Sequence, residues 1–329
     1  MATAEQLKAL IRCHAEGDDA RFYAIAMQVA ASEARGGHGK FAQELRELVD
    51  RAKAAASAPR TPPSQPLAVA QPRGELAGLL TFSYPTSRLA DMALSKPLAG
   101  RLERVLLEQR QRERIRQHGL LPIRKLLLIG PPGTGKTMTA SALAGELGIP
   151  LFTIQLHALI TKFMGETAAK LRLVFDAIHA TRGVYLFDEF DALGGQRGSG
   201  HDVGEIRRVL NSFLQFLEQD ASDSLLVGAT NHVEILDRAL FRRFDAVLEY
   251  GPPSVEIAIR IMQNRLSLLD VTAIDWQAAA AAAGGLSHSE IVHACEQAAK
   301  NALLEQSTVV RQDDLVAALE ERRRSHSDS

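Results

Sequence analysis

Gly130-Pro131-Pro132-Gly133-Thr134-Gly135-Lys136-Thr137 follows the apolar run at 126–129 and opens a helical stretch that continues from Met138. The string has the G-x-x-x-x-G-K-[ST] spacing of a phosphate-cradling loop. Its glycines let backbone N–H groups close around phosphate oxygens, and the helix N-terminus adds partial positive charge. In that geometry Lys136 is expected to reach the β- and γ-phosphates of a nucleotide, and Thr137 to ligate Mg²⁺. Residues 130–138 together are the expected nucleotide-binding set.

A second string, VYLFDEFD at 184–191, places two acids directly after four apolar residues. A buried strand that ends there would present Asp188 and Glu189 at the carboxyl edge of an open sheet, where such sheets bind ligands. Asp188 is placed to hold Mg²⁺, directly or through water. Glu189 is placed to orient and activate an attacking water. ATP and Mg²⁺ are the expected substrate and cofactor, and phosphoanhydride hydrolysis the expected chemistry.

Strands and helices must hold these groups. Short apolar runs at 126, 151, 184, 225 and 246 alternate with helical segments, the pattern of a parallel sheet with helices on both faces. After Gly251-Pro252-Pro253 the pattern is helical only, around 254–268, 275–283, 287–305 and 311–323. Upstream, 57–73 carries Pro59, Pro62, Pro63, Pro66 and Pro72, which predicts a semi-rigid linker. Before it, helical spacing recurs in Leu7, Leu10 and Ile11, in Phe22, Ile25 and Val29, and in Phe41, Leu45 and Leu48, as expected of a three-helix adaptor. The expected domains are thus 1–56, helical; 57–73, linker; 74–250, α/β nucleotide-binding; and 251–329, a helical lid with a basic tail.

Composition excludes other classes. Lys+Arg is 38 against Asp+Glu 39, so the chain is not built mainly to coat nucleic acid or an anionic membrane. No apolar run approaches the roughly 20 residues that span a bilayer. Two cysteines, Cys13 and Cys295, make no disulfide framework, which suits a cytoplasmic location. No H-E-x-x-H or G-x-S-x-G string is present, so neither zinc-protease nor serine-hydrolase chemistry is expected.

Residues from about 90 to 325 resemble the AAA+ superfamily, and within it the AAA family that includes Cdc-type segregases, katanin, spastin and FtsH. The resemblance implies a P-loop parallel-sheet ATPase domain with a C-terminal helical lid. It implies that Asn231, ending LLVGATN, is the sensor that positions the lytic water. In LDRALFRRFD at 236–245, Arg242 and Arg243 match the fingers that reach a neighbouring subunit's γ-phosphate. The family commonly places two residues between those arginines, and here they are adjacent, which leaves open which one is the finger. Gly285-Leu286-Ser287-His288-Ser289-Glu290-Ile291 is similar to the family's nucleotide-contacting G-F-S-G-A-D-I, with His288 in place of glycine. A plain helix cap by Ser287 and Glu290 reads the same residues equally well. The family's adenine-side D-I-G-G is not evident, and residues 87–91 are its candidate stand-in. Lys162-Phe163-Met164-Gly165 matches a pore loop that grips extended polypeptide, and 194–202 is a weaker candidate for a second.

The resemblance implies a homo-oligomer, a hexamer, that remodels, unfolds or translocates a protein client or acts on a separate partner chain. Two other readings share the core: a nucleic-acid motor or loader, disfavoured by the near-neutral charge and Phe163-Met164, and a regulatory nucleotide switch.

Overall fold

The protein is described from a computed structural model, in which Ala26, Gln43 and residues 74–156, 166–193, 202–236 and 238–327 are described. The chain divides into two compact units, Met1–Ala70 and Gln71–Ser329. Of the first, Ala26 and Gln43 are helical; the three helices and the linker expected there otherwise lie outside the described residues.

The second unit is built on a six-stranded sheet among the described residues. Its strands are β1 (Leu80–Ser83), β2 (Lys125–Ile129), β3 (Leu151–Ile154), β4 (Val184–Phe187), β5 (Leu225–Thr230) and β6 (Ala246–Glu249), in the order β1-β3-β4-β5-β2-β6. The five runs expected as strands pair in parallel, with β2 between β5 and β6. Every residue of β4 and β5 is buried, as strands covered on both faces require.

The sheet departs from the all-parallel expectation at one edge. β1 pairs antiparallel with β3, Leu80 opposite Ile154 and Ser83 opposite Leu151. Leu80-Thr81-Phe82-Ser83 alternates in exposure, the pattern of an edge strand with one covered face. Four residues ending near Pro85 carry too weak a signal to stand out from a loop.

Helices α1 (Lys96–Arg110), α2 (Arg112–Gln117), α3 (Lys136–Leu147), α4 (Glu166–Ala180), α5 (Asp202–Gln219) and α6 (Arg238–Phe241) accompany the sheet. One core joins Leu98, Leu102 and Leu106 of α1 and Ala140 and Leu143 of α3 to Leu126, Leu186 and Val227. Aromatic rings fill another. Phe213 lies 5.0 Å from Phe187 and 4.9 Å from Phe190, and Phe175 lies 5.3 Å from Phe216, ring centre to ring centre. These rings clamp α4 and α5 to the strand that ends in Asp188, so the acid sits on a rigid support.

The lid comprises α7 (Val255–Arg265), α8 (Trp276–Ala282), α9 (His288–Leu304) and α10 (Gln312–Ser327). Its own core includes Met262, Ile291, Ala294, Cys295, Leu315 and Leu319. Each of the four helices contributes buried alanines to it, Ala258, Ala280, Ala298 and Ala318 among them. Three of the starts are capped: Ser254 and Asp275 accept backbone N–H bonds, and Ser287 and Glu290 form a capping box. Among the described residues, no helix is long and apolar enough to cross a membrane.

Candidate nucleotide site

The loop between β2 and α3 turns on three glycines with positive φ: Gly130 at 145°, Gly133 at 72° and Gly135 at 98°. Two are also crowded. A Cβ on Gly130 would stand 2.1 Å from the Tyr250 carbonyl oxygen, and one on Gly133 would stand 2.7 Å from Ser287 Oγ. The loop is therefore pressed between the end of β6 and the start of the lid helix α9, where a side chain has no room. Tyr250 is fixed in turn by a 2.6 Å hydrogen bond to Thr139 in α3. Burial pushes the Tyr250 phenol up to about 12, the bond to Thr139 partly offsetting it.

Gly130→Ala is expected to destabilise the protein by on the order of 3 kcal/mol, from backbone strain plus displacement of the β6 end. Equilibrium urea unfolding checks it; a midpoint equal to wild type would mean that the loop relaxes freely.

Lys136, at the first position of α3, folds back on the loop. Its Nζ donates to the Gly130 and Pro131 carbonyl oxygens, each at 2.7 Å. Burial lowers its pKa, and Asp188 and Asp191 pull it back up. Thr137 Oγ1 donates to Asp188 Oδ2 at 2.9 Å, so the hydroxyl opening α3 and the carboxylate ending β4 meet across 51 residues of sequence. Both are hard oxygen donors, the set that suits Mg²⁺. Among the described residues no group of three or more His, Cys, Asp or Glu could hold a metal ion. A cation here would have to complete its shell with phosphate oxygens and water, the ordinary arrangement for Mg²⁺ at a nucleotide.

Glu189 is exposed and takes φ 52°, a left-handed conformation unusual for glutamate. Its N–H donates to Asp188 Oδ1 at 3.0 Å, which ties the two acids together. Asp191, which the motif reading passed over, accepts from Thr230 Oγ1 at 3.0 Å and from the Asn231 N–H at 3.4 Å. It thereby links the turn after β4 to the end of β5 and fixes where Asn231 begins.

These parts open on one cavity of about 970 Å³. Its wall includes Pro132, Gly133, Thr134, Gly135, Lys136, Thr137, Met138, Asp188, Glu189 and Asn231. Gly130 and Pro131 shape the loop behind it and receive Lys136. The opposite wall was largely illegible in the sequence. Residues 90–94 line it, followed by Ile261, Asn264 and Arg265 of α7 and by Val292, His293 and Glu296 of α9. The stretch at 87–91 contributes Ala90 and Asp91, and Met92, Ala93 and Leu94 extend it. Arg88 anchors this wall to α3 through a 2.7 Å bond to the Gly145 carbonyl.

The lid closes on the loop directly: the Ser289 N–H donates to the Gly133 carbonyl at 3.0 Å. Ser287 and Glu290 cap α9, and His288, the next residue after Ser287, lines the cavity. Burial lowers the His288 pKa, and its Nδ1 is buried with no hydrogen-bond partner among the described residues. A neutral imidazole also suits the positive end of a helix.

Arg242 and Arg243 stand apart from this cavity, whose described lining includes neither. Arg243 is half-buried and its Nε lies 2.8 Å from Glu218 Oε1 on α5. Arg242, next to it, is exposed. Lys162, Phe163, Met164 and Gly165, and 194–201, lie outside the described residues.

Comparison with known proteins bears on the whole arrangement. A profile described as "ATPase family associated with various cellular activities (AAA)" matches residues 126–252, from β2 past β6. The uncharacterized AAA family ATPase y4kL of Sinorhizobium fredii is 34% identical over 327 residues, covering 98% of this chain and 96% of the relative. The ATP-dependent zinc metalloprotease FtsH 1 of Symbiobacterium thermophilum is 36% identical over 218 residues, 59% of this chain and 36% of that protein. The proteasome-activating nucleotidase of Methanosphaerula palustris is 28% identical over 256 residues, 75% of this chain and 62% of the relative. The chain thus spans about a third of the FtsH relative and nearly all of y4kL. With the phosphate loop, acidic strand end and helical lid in one unit, and a full-length relative at this identity, the chain belongs to the AAA family of ATPases.

Proposed function

We propose that the protein is an Mg²⁺-dependent ATPase that assembles into a ring, most simply a hexamer, and uses hydrolysis to remodel or pull on a protein client. The observation that carries this reading is the convergence of Lys136, Thr137, Asp188 and Glu189 on one lid-covered cavity.

In this reading Gly130, Pro131, Pro132, Gly133, Thr134, Gly135 and Met138 frame the triphosphate, with backbone N–H groups and the α3 N-terminus facing it. The Lys136 ammonium leaves its carbonyl partners for the β- and γ-phosphate oxygens. Thr137 and Asp188 would hold Mg²⁺, which when bound offsets negative charge on the phosphates. Glu189 accepts a proton from water as its oxygen attacks the γ-phosphorus; the bond to the β–γ bridging oxygen breaks and ADP leaves with that electron pair. Asn231, set by Asp191, orients the same water. His288 contacts the nucleotide from the lid, at the wall of the cavity.

Neither arginine lines the cavity of its own chain, which supports a site completed by a neighbour. Arg242 is the finger, and Arg243 braces the α6 end through Glu218. Phe163 and Met164 grip the client, and the names of the FtsH and proteasome-activating relatives favour protein as the client. A cytoplasmic location accompanies this reading.

Steady-state turnover with and without an unfolded polypeptide, for wild type and Phe163→Ala, tests the client. Stimulation in wild type and its loss in the variant, with basal turnover kept, is the expected result. Turnover indifferent to polypeptide but raised by DNA, and falling steeply with salt, would move the work to nucleic acid.

A further inference from the structure

We infer that the edge of the sheet opposite the phosphate loop carries a second anion site, in which Arg182 and Arg116 bind a phosphate group, free or as a monoester. A cavity of about 680 Å³ opens there, lined by Arg116, His179, Arg182, Ser222, Asp223 and Ser224, with Leu121, Ile178 and Ala180 as apolar wall. Arg182 lies two residues before β4, and Ser224 immediately before β5. The phosphate loop follows the other end of β2, which runs parallel to β5. At about 3.3 Å per residue, six-residue β5 separates the two edges by roughly 20 Å. The two sites are therefore distinct.

The charges around this cavity do not balance. Among its lining residues Arg116 and Arg182 bring two guanidiniums against the single carboxylate of Asp223. His179 stands 3.6 Å from Asp220 and adds a further cation if protonated. Arg124 is taken up by Asp220, and Arg112 sits 3.3 Å from Glu113. Asp223 is then shared: it bonds Arg116, and the charges of Arg112 and Arg182 join in holding its carboxyl below the ordinary range.

Arg182 Nε donates to the Asp223 carbonyl oxygen at 3.3 Å, and among the described residues its two terminal nitrogens have no hydrogen-bond partner. Burial first, then the nearby Arg112, lowers its pKa. Arg112 adds a buried Nε that no acceptor meets with hydrogen-bond geometry. Neighbouring guanidiniums repel one another, and an anion placed between Arg116 and Arg182 offsets that repulsion. A planar guanidinium with free terminal N–H groups matches two oxygens of one phosphate. The volume exceeds that of a phosphate alone, and the apolar wall leaves room for an organic group on a monoester. This site stands independently of the hydrolysis reading.

Equilibrium dialysis of labelled inorganic phosphate against a Lys136→Ala background, which disables the phosphate loop, tests it. One saturable phosphate per chain is expected. Adding Arg182→Ala should weaken it roughly 10- to 100-fold, the worth of one charged hydrogen-bonding partner. Binding that is absent, or unchanged by Arg182→Ala, overturns the proposal. Phenyl phosphate as competitor separates the sources: displacement tenfold better than by inorganic phosphate identifies a monoester, and equal displacement identifies the free ion. Should the double variant not fold, phenylglyoxal modification of wild type, mapped by mass spectrometry, decides. Phosphate is expected to protect Arg182, and modification of Arg182 at the same rate with and without phosphate contradicts the site.

Discussion

Glu189→Gln is expected to lower ATP turnover by roughly 10²- to 10⁴-fold, the usual worth of a positioned general base, with nucleotide affinity kept within a few-fold. The amide retains the size of the side chain and its place at the end of β4, but cannot take a proton from water. Glu189 accepts a left-handed backbone to stand exposed beside Asp188, and its N–H is bonded to that neighbour's carboxylate. The strain is held by a strand buried along its whole length. Single-turnover hydrolysis measured beside nucleotide binding separates the two effects. Equal loss of binding and turnover would make Glu189 a structural residue of the loop; unchanged turnover would remove it from the chemistry.

The second large effect concerns the adjacent arginines. Arg242→Ala is expected to reduce turnover by about 10³- to 10⁵-fold, the range of an arginine supplied across an interface. Arg243→Ala should act differently. Arg243 lies 2.8 Å from Glu218 of its own chain, so its loss should loosen the junction of α6 and α5 and cost stability before chemistry. That pair is partly exposed, so the cost is modest. Mixing distinguishes a trans role from a cis one. Arg242→Ala and Lys136→Ala chains, each inactive alone, should regain turnover together, because some interfaces then join an intact loop to an intact arginine. Mixtures as inactive as their parts, or Arg243→Ala as damaging as Arg242→Ala with its fold intact, would reverse the assignment.

The contrast between those arginines marks what residue order can carry. Two neighbours in FRRFD are chemically identical as text; only the position of Glu218, 25 residues earlier on another helix, tells them apart. The phosphate loop and acidic strand end were legible because each packs its chemistry into a few consecutive residues. The lid helices were legible from their periodicity and caps. The far wall of the cavity was not: residues 90–94 match no motif, while Ile261, Asn264 and Val292 come from two distant helices. Asp191 was hidden for another reason. It sits inside the very string that names its neighbours, yet its partners, Thr230 and Asn231, lie at the end of another strand. β1 escaped notice because four alternating residues at an edge look like any extended loop.

In the proposed function, one chain holds an incomplete ATPase site that a neighbour finishes. Turnover per chain, measured across protein concentration with the mass distribution followed in the same samples, tests it most directly. Turnover per chain is expected to rise with concentration and to level off together with a closed oligomer. Turnover per chain that stays constant while the protein remains monomeric would contradict it.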